Sequence, residues 1–244
     1  RILCRFYFSG DDFIFPAFDS VIVALIKNRE KLHAKILTCP DETVEICRSK
    51  SKTYAKLAGS DFLPLTYKSP NEIKQYPVII KPTESQGAQG FMILENEEQL
   101  KYELSIRTDE QVVCEYLPGE EYTIDCFTDR HGMLRYASCR NRHRIKNGIS
   151  VNSSLMEPDA RVREIAEEIN RKMDYRGVWF FQLKRNLNGE YRLLECATRV
   201  AGTMCVERAA GVNLPLMTVF DALDYDVEMP EAIKGVCVDR ALHN

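Results

Sequence analysis

A tight turn at Asn188-Gly189 is the local feature that most constrains the fold of this 244-residue chain. Strand-like apolar segments flank it, Val178–Leu187 before and Glu190–Cys196 after. Asn-Gly favours a type I′ turn, whose two central residues both have positive φ. A two-residue loop places Gln182 directly opposite Glu195, with Cβ atoms about 4.5–5.5 Å apart. The sequence therefore predicts a hairpin that presents an amide and a carboxylate side by side.

One face of this hairpin has the composition of a metal site. Alternation along the strands adds Lys184, Ala197 and Arg199 to the face with the amide and the carboxylate. Two oxygen donors beside cations suit a Mg²⁺ ion that phosphate oxygens also hold. A polar sheet face exposed to water is the alternative interpretation. Leu183 and Leu194 are predicted to line the opposite, core-facing side.

Composition excludes several classes of protein. The net charge is −3, so the chain lacks the basic excess of a nucleic-acid-binding protein. Its longest apolar run, Val21–Ile26, is far shorter than the roughly 20 residues that span a bilayer. The nine cysteines form no CxxC pair, which favours buried free thiols in the cytoplasm over a zinc site or disulfide framework.

A second motif places a lysine and glycines between two strands. Val78–Lys81 and Phe91–Leu94 read as strands, and the loop between them contains Gly87 and Gly90. Main-chain N–H groups of such a loop can hold phosphate, and a lysine just before it supplies positive charge. A simple hairpin is the alternative, because neither the P-loop nor the dinucleotide-binding pattern is present.

The remaining elements predict an α+β chain with an α/β start. Arg1–Phe8, a helix over Ala17–Leu32 and Lys35–Thr38 read as the last strand–helix–strand unit of a doubly wound domain, and we expect the rest of that domain to be missing. The other predicted helices are Asp41–Leu57 with a break near Ser49–Ser51, Asn96–Ile106, Pro158–Lys172, Thr203–Ala210 and Leu214–Leu223. The other predicted strands are Gln111–Tyr116, Tyr122–Thr128 and Met133–Cys139.

Three segments that occur in order resemble the ATP-grasp superfamily, nearest to the large subunit of carbamoyl-phosphate synthase. They are Ile79-Ile80-Lys81-Pro82-Thr83, Glu115–Asp125 and Glu195–Thr203. The resemblance extends over about residues 12–225. Asp12, Pro16 and Asp19 resemble the late Rossmann-like strand and helix of that family, and Ser49–Leu57 resembles its nucleotide-contacting helix. It implies an ATP-grasp fold of two α+β lobes, a small lobe at 40–116 and a large lobe at 117–244, preceded by a partial Rossmann-like segment at 1–39.

The resemblance also implies roles for individual residues. Lys50 and Lys81 would contact ATP phosphates, and Ser85–Gly90, with Ser85, Gly87 and Gly90, would cover them. Glu115, Tyr116 and Leu117 would form the hinge, in which the main-chain carbonyl of Glu115 and the main-chain N–H of Leu117 read the adenine edge. Glu121 would accept the ribose hydroxyls. Gln182 and Glu195 would bind Mg²⁺, for which Mn²⁺ can substitute. The catalytic cations would be Arg199, Arg142 and Arg144.

The implied function is ADP-forming ligation of a small-molecule carboxylate, activated as an acyl phosphate, to an amine. The family pattern Glu-x-Asn-x-Arg reads Glu195-Cys196-Ala197-Thr198-Arg199 here, so one metal ligand is an alanine. Two alternatives remain open: a carbamoyl-phosphate-synthase-like enzyme acting on bicarbonate or carbamate, and a nucleotide-binding module that has lost turnover. We expect a cytoplasmic protein with no nucleic-acid or membrane partner; the sequence leaves the substrates and the oligomeric state open.

Overall fold

The structure, a computed structural model, describes residues 10, 12–85, 87, 89–146 and 148–240. Its strands are β1 (Phe13–Ile14), β2 (Lys35–Ile36), β3 (Thr66–Tyr67), β4 (Val78–Pro82), β5 (Met92–Leu94), β6 (Gln111–Glu115), β7 (Glu121–Thr128), β8 (Leu134–Asn141), β9 (Arg144–Lys146), β10 (Ile149–Met156), β11 (Gly177–Arg185), β12 (Tyr191–Ala197) and β13 (Cys237–Asp239). Its helices are α1 (Asp19–Ile26), α2 (Asp41–Arg48), α3 (Lys50–Lys56), α4 (Glu97–Ile106), α5 (Ala160–Lys172), α6 (Cys205–Ala209) and α7 (Leu214–Ala222), with 3₁₀ turns at Arg29–Lys31 and Pro70–Glu72.

The chain begins with a small α/β unit. β1 pairs in parallel with β2, and α1 lies between them in sequence. A parallel pair joined through a helix is the unit that the sequence predicted, but its first strand is at Phe13–Ile14. The strand predicted at Arg1–Phe8 lies outside the described residues.

Two antiparallel sheets form the rest of the framework. The smaller has the order β3-β6-β4-β5. The larger has the order β12-β11-β7-β8-β10-β13, and β9 pairs with β10. Ser49 interrupts the predicted long helix between α2 and α3, and its hydroxyl accepts the Lys52 N–H. Asn96 caps α4 as predicted, because its side chain accepts the Gln99 N–H.

The eight-residue strand β10 was not predicted. Four of its eight residues are serine or asparagine, which obscures the alternation of apolar side chains that identifies a strand. Ser150 and Ser153 are nevertheless buried, and their hydroxyls hydrogen-bond each other at 2.7 Å. Mutual pairing satisfies both groups, so they do not need to face water.

The hairpin of β11 and β12 differs from the prediction at two points that compensate. Gln182 does lie opposite Glu195, but Arg185 pairs with Tyr191, so the loop between the strands is one residue longer than a two-residue turn. A bulge between Gln182 and the next pair then shifts the register by one residue. The extra residue is Leu194, since Leu183 pairs with Leu193. Leu194 therefore does not line the core-facing side as predicted; Leu193 does, and it is fully buried.

One continuous apolar core joins the parts of the chain. It contains Ile22 of α1, Leu57 after α3, Ile79 of β4 and Phe181 of β11, together with other buried residues from both sheets. The eight cysteines that the structure describes are free thiols, and five of them are buried. Within the described part of the chain, no helix is both long and apolar enough to cross a bilayer.

Gly177, the first residue of β11, is a position where glycine is required. Its φ is +67°, and a Cβ there would lie 2.6 Å from Cγ2 of Thr218 on α7. We expect Gly177→Ala to lower the free energy of unfolding by about 2–4 kcal/mol, from backbone strain and overpacking together. Chemical denaturation measures this loss. Gly59→Ala is the matched control, because Gly59 has φ +85° but open space around it; equal losses in both variants would contradict the packing argument.

Candidate functional site

Most of the residues predicted to form a site come together in one cavity of about 260 Å³. Both sheets contribute to it. The predicted residues that line it are Lys50, Lys81, Ser85, Gly87, Leu117, Glu121, Arg142, Gln182 and Glu195. A larger groove of about 810 Å³ runs between α3 and α4 and contains none of the predicted residues.

The hairpin supplies the oxygen donors of the cavity. Gln182 and Glu195 face each other across β11 and β12, and both side chains line the cavity. Because of the bulge, Leu194 also lines it, directly beside Glu195. This apolar side chain limits the access of water to the Glu195 carboxylate.

The small sheet supplies Lys81, which is only 8% exposed. Its Nζ donates a hydrogen bond of 3.1 Å to the hydroxyl of Tyr54 on α3. Burial by itself lowers the pKa of Lys81, but Tyr54, Cys114 and Glu195 together raise the pKa overall. Lys81 is therefore a cation at neutral pH inside a largely enclosed space.

A second buried cation, Lys50, begins α3. Its Nζ donates to the hydroxyl of Ser85 at 2.9 Å, and Arg48 donates to the Ser85 carbonyl at 3.0 Å. Burial lowers the pKa of Lys50, and the charges of Lys81 and Arg48 lower it further. These contacts fix the start of the predicted glycine loop, of which Gln86 and Ala88 lie outside the described residues.

The start of β7 and the residue that follows β8 bring charges of opposite sign to the cavity. Glu121 forms an ion pair with Arg142, whose other terminal nitrogen donates to the Gly148 carbonyl at 2.5 Å. Lys184 lies opposite Glu121 on β11, with Nζ 3.9 Å from the carboxylate. Burial and the Arg142 charge lower the pKa of Lys184. The Arg142 Nε atom is buried and has no hydrogen-bond partner among the residues that the structure describes.

Five of the predicted residues do not line this cavity: Gly90, Glu115, Tyr116, Arg144 and Arg199. The Glu115 carboxylate accepts the Leu65 N–H at 2.8 Å, whereas its predicted role concerns the main-chain carbonyl, and Tyr116 packs against the main core. Arg144 is at the surface in an ion pair with Asp239. The carbonyl of Gly90 accepts a hydrogen bond from Arg107.

Arg199 is held by the N-terminal segment. Its Nε and Nη2 atoms donate to the two carboxylate oxygens of Asp19 at 2.8 and 2.7 Å. Its guanidinium lies 5.1 Å from the ring centroid of Phe180. The sequence gives no sign of this pairing, because the two residues are 180 positions apart.

Several cavity residues were absent from the predicted set. They are Ile79, Phe91, Cys114, Ile145, Gly148 and Leu194. Alternation could have identified Ile79, which lies two residues before Lys81, in the same way as it placed Lys184 on the face of Gln182. Leu194 could not be found in this way, because the bulge reverses its face.

The resulting cavity has an excess of positive charge. Lys50, Lys81, Arg142 and Lys184 face two carboxylates, Glu121 and Glu195. Buried cations in mutual repulsion are stabilised by an anion. Among the described residues, no group of three or more His, Cys, Asp or Glu side chains could enclose a metal ion. A cation bound at Gln182 and Glu195 would therefore need ligands from the anion or from water.

Comparison with protein-family models identifies the family of the chain. A family model described as "ATP-grasp in the biosynthetic pathway with Ter operon" matches residues 107–242, which is more than half of the chain. The chain belongs to the ATP-grasp family. The match begins just before β6 and includes Gln182, Glu195 and the whole of the larger sheet. No protein with a curated description is significantly similar in sequence.

Solved structures show the ATP-grasp fold over nearly the whole chain. Biotin carboxylase from Campylobacter jejuni, in complex with an ATP analogue, superposes with a TM-score of 0.75 at 19% identity over 92% of this chain. An ADP complex of N5-carboxyaminoimidazole ribonucleotide synthetase has a TM-score of 0.76 at 13% identity over 93% of this chain. The Staphylococcus aureus N5-carboxyaminoimidazole synthetase, also with ADP, has a TM-score of 0.74 at 17% identity over 92% of this chain.

These similarities are to parts of longer proteins. The chain spans 57%, 64% and 63% of those three structures, respectively. At such low identity the comparison shows the fold alone.

Proposed function

We propose that this ATP-grasp protein is an ADP-forming ligase that uses ATP to activate a carboxylate as an acyl phosphate for attack by an amine. The observation that carries the proposal is the gathering of four cations around Gln182 and Glu195 in one partly enclosed cavity. Solved relatives with this fold are carboxylases and synthetases bound to adenine nucleotides, which supports the choice of ATP as the phosphate donor.

The residues present fit a Mg²⁺ ion bound together with a nucleotide. Gln182 and Glu195 supply an amide and a carboxylate oxygen, the hard ligands that Mg²⁺ takes, and phosphates and water complete its coordination. The buried Arg142 Nε, which has no partner within the described part of the chain, would add a donor at the same cavity. When bound, the metal ion supplies charge neutralisation on the phosphate oxygens.

The side chains of the chain itself then have distinct roles. Lys81 and Lys50 hold phosphate oxygens, and the segment beginning at Ser85 covers them. Leu117 and Ile79 contact the base, and Glu121 accepts the ribose hydroxyls. Catalysis would rest on positioning and charge stabilisation, with no nucleophilic side chain.

Arg199 does not line the cavity and is paired with Asp19 of the N-terminal segment. In the proposed reaction it would leave Asp19 to meet the transferred phosphoryl group. We retain the division into a Rossmann-like segment at 1–39, a small lobe at 40–116 and a large lobe at 117–244 as part of the proposal.

ADP release tests the proposal directly. The chain is incubated with Mg·ATP and a panel of carboxylates, with hydroxylamine as a general amine that converts acyl phosphates to stable hydroxamates. We expect ADP and hydroxamate in equal amounts, and only with a matched carboxylate. Release of AMP, or ADP formation independent of every acceptor, would contradict the proposal.

The same assay separates the two alternatives. ADP release stimulated by bicarbonate, without hydroxamate from any organic acid, would favour a carbamoyl-phosphate-synthase-like activity. Tight binding of Mg·ADP with no turnover for any acceptor would favour a module that has lost catalysis. Ala197 is the specific observation behind that second alternative, because asparagine is expected there from the family pattern.

Replacing Ala197 by asparagine should increase the affinity for Mg²⁺ severalfold in the presence of ADP. Ala197 pairs with Phe180, and alternation places it on the same face as Glu195, so an added amide oxygen could become a ligand. The larger side chain should cost about 1–3 kcal/mol of stability through overpacking against Phe180 and Ala201. Calorimetric titration of Mg²⁺ and thermal denaturation measure the two effects.

Ala201→Asn is the matched control for this variant. Ala201 is buried in the same small cluster but lies beyond the end of β12. We expect it to lose stability without gaining metal affinity. An Ala197→Asn protein with unchanged Mg²⁺ affinity would argue against a ligand position at 197.

A further inference from the structure

The hydroxyl of Tyr54 joins three elements that surround the cavity. It accepts a hydrogen bond from Lys81 Nζ of β4 at 3.1 Å. It donates to the main-chain carbonyls of Leu193 and Leu194 on β12, at 3.2 and 3.0 Å. Tyr54 itself lies on α3 and is 8% exposed, so water cannot easily replace these bonds.

The two carbonyls belong to the bulge of β12. A bulge leaves its extra residue without a partner on the neighbouring strand, and buried carbonyls need a donor from elsewhere. Tyr54 is that donor. Burial raises the pKa of Tyr54 to about 12, so the hydroxyl keeps its proton at neutral pH. Glu195 follows the bulge immediately, and its direction depends on the bulge geometry.

We propose that Tyr54 is a positioning residue that couples Lys81 to the bulge at Leu193–Leu194 and so fixes Glu195 relative to that lysine. The inference rests on the proposed function, in which Lys81 holds phosphate and Glu195 holds the metal ion. Tyr54 does not line the cavity with them, and it acts through its three hydrogen bonds.

The test uses Tyr54→Phe and compares the affinity for ADP with and without Mg²⁺. Isothermal titration gives the gain in ADP affinity that Mg²⁺ produces. We expect this gain to fall about tenfold in Tyr54→Phe. A buried polar group that loses its hydrogen-bond partner costs a free energy equivalent to about a tenfold change in an equilibrium constant. Tyr54→Met, a second variant without the hydroxyl, is measured in parallel in case the phenylalanine variant does not fold.

Tyr175→Phe is the matched control. The Tyr175 hydroxyl is also buried, but its partners are Cys47, Met173 and Cys196, and none of these lines the cavity. It should lose a similar amount of thermal stability and keep the full Mg²⁺-dependent gain. In a Glu195→Gln background, Tyr54→Phe should cause no further loss of the Mg²⁺-dependent gain. A structural effect that is independent of Glu195 would instead add a further loss.

The outcomes are distinct. If the wild-type chain shows the Mg²⁺-dependent gain and both Tyr54 variants retain it within twofold, the inference about Tyr54 is wrong and the proposed function stands. A wild-type chain that does not bind ADP at all would overturn the proposed function and this inference with it.

Discussion

Replacing Lys81 by methionine should raise the dissociation constant for Mg·ADP by about 10–100-fold, because the loss of one buried, charge-assisted contact costs about 1.5–3 kcal/mol. Methionine is close to lysine in length and apolar, so the buried site stays filled. Thermal stability should change little, since a buried charge is removed together with its hydrogen bond to Tyr54. Calorimetric titration measures the affinity.

Lys52→Met provides the control for that experiment. Lys52 lies on α3, two residues before Tyr54, but it is exposed and does not line the cavity. Its replacement should leave the affinity for Mg·ADP within twofold of wild type. If both lysine variants bind Mg·ADP equally well, the cavity is not the nucleotide site.

The second large effect concerns stability and pH. Glu207 of α6 is fully buried, and its carboxylate accepts hydrogen bonds from Tyr136 and Ser138, both at 2.6 Å. Burial, together with the charge of Asp125, raises the pKa of Glu207 to about 7. The adjacent Asp125–Arg140 pair is also buried, and one oxygen of Asp125 and one nitrogen of Arg140 have no partner among the described residues.

A raised carboxyl pKa in the folded state makes stability fall with rising pH. Between about pH 4.5, where the unfolded glutamate loses its proton, and about pH 7, only the folded protein keeps that proton. The contribution of Glu207 to the free energy of unfolding therefore declines through this window by about 3 kcal/mol and is constant above it. Glu207→Gln remains neutral at every pH. The free energy of unfolding of this variant, relative to wild type, should therefore increase by that amount between pH 5 and pH 8, which corresponds to roughly 5–10 °C in melting temperature.

Thermal denaturation of both proteins at pH 5 and pH 8 measures the difference. Tyr136→Phe is the opposing variant: it removes a donor that lowers the pKa of Glu207, so its loss of stability should be greater at pH 8 than at pH 5. A Glu207→Gln variant destabilised equally at both pH values would contradict this account.

The sequence predicted the essential pair of the candidate site, but through two errors that cancelled. Asn-Gly suggested a two-residue loop, whereas the loop is longer and a bulge at Leu194 restores the pairing of Gln182 with Glu195. Bulges involve contacts outside the hairpin, and here Tyr54 of α3 donates to the carbonyls of Leu193 and Leu194. A pattern confined to two strands does not contain that information.

Contacts between residues far apart in the sequence were the other feature that the sequence did not predict. Motifs along the chain identified Lys81 and Glu121, and alternation placed Lys184 on the same face as Gln182. The Asp19–Arg199 pair and the buried cluster around Glu207 connect residues far apart in sequence, which only the fold brings together. Strand β10 was missed because its buried serines satisfy one another, a solution that a hydrophobic pattern does not reveal.

A crystal structure of the chain with Mg·ADP tests the central claim most directly. The account predicts a metal ion between the side chains of Gln182 and Glu195, diphosphate oxygens within hydrogen-bonding distance of Lys81 and Lys50, and the adenine ring beside Leu117 and Ile79. Nucleotide bound in another pocket, or a metal ion with no contact to Gln182 or Glu195, would contradict it.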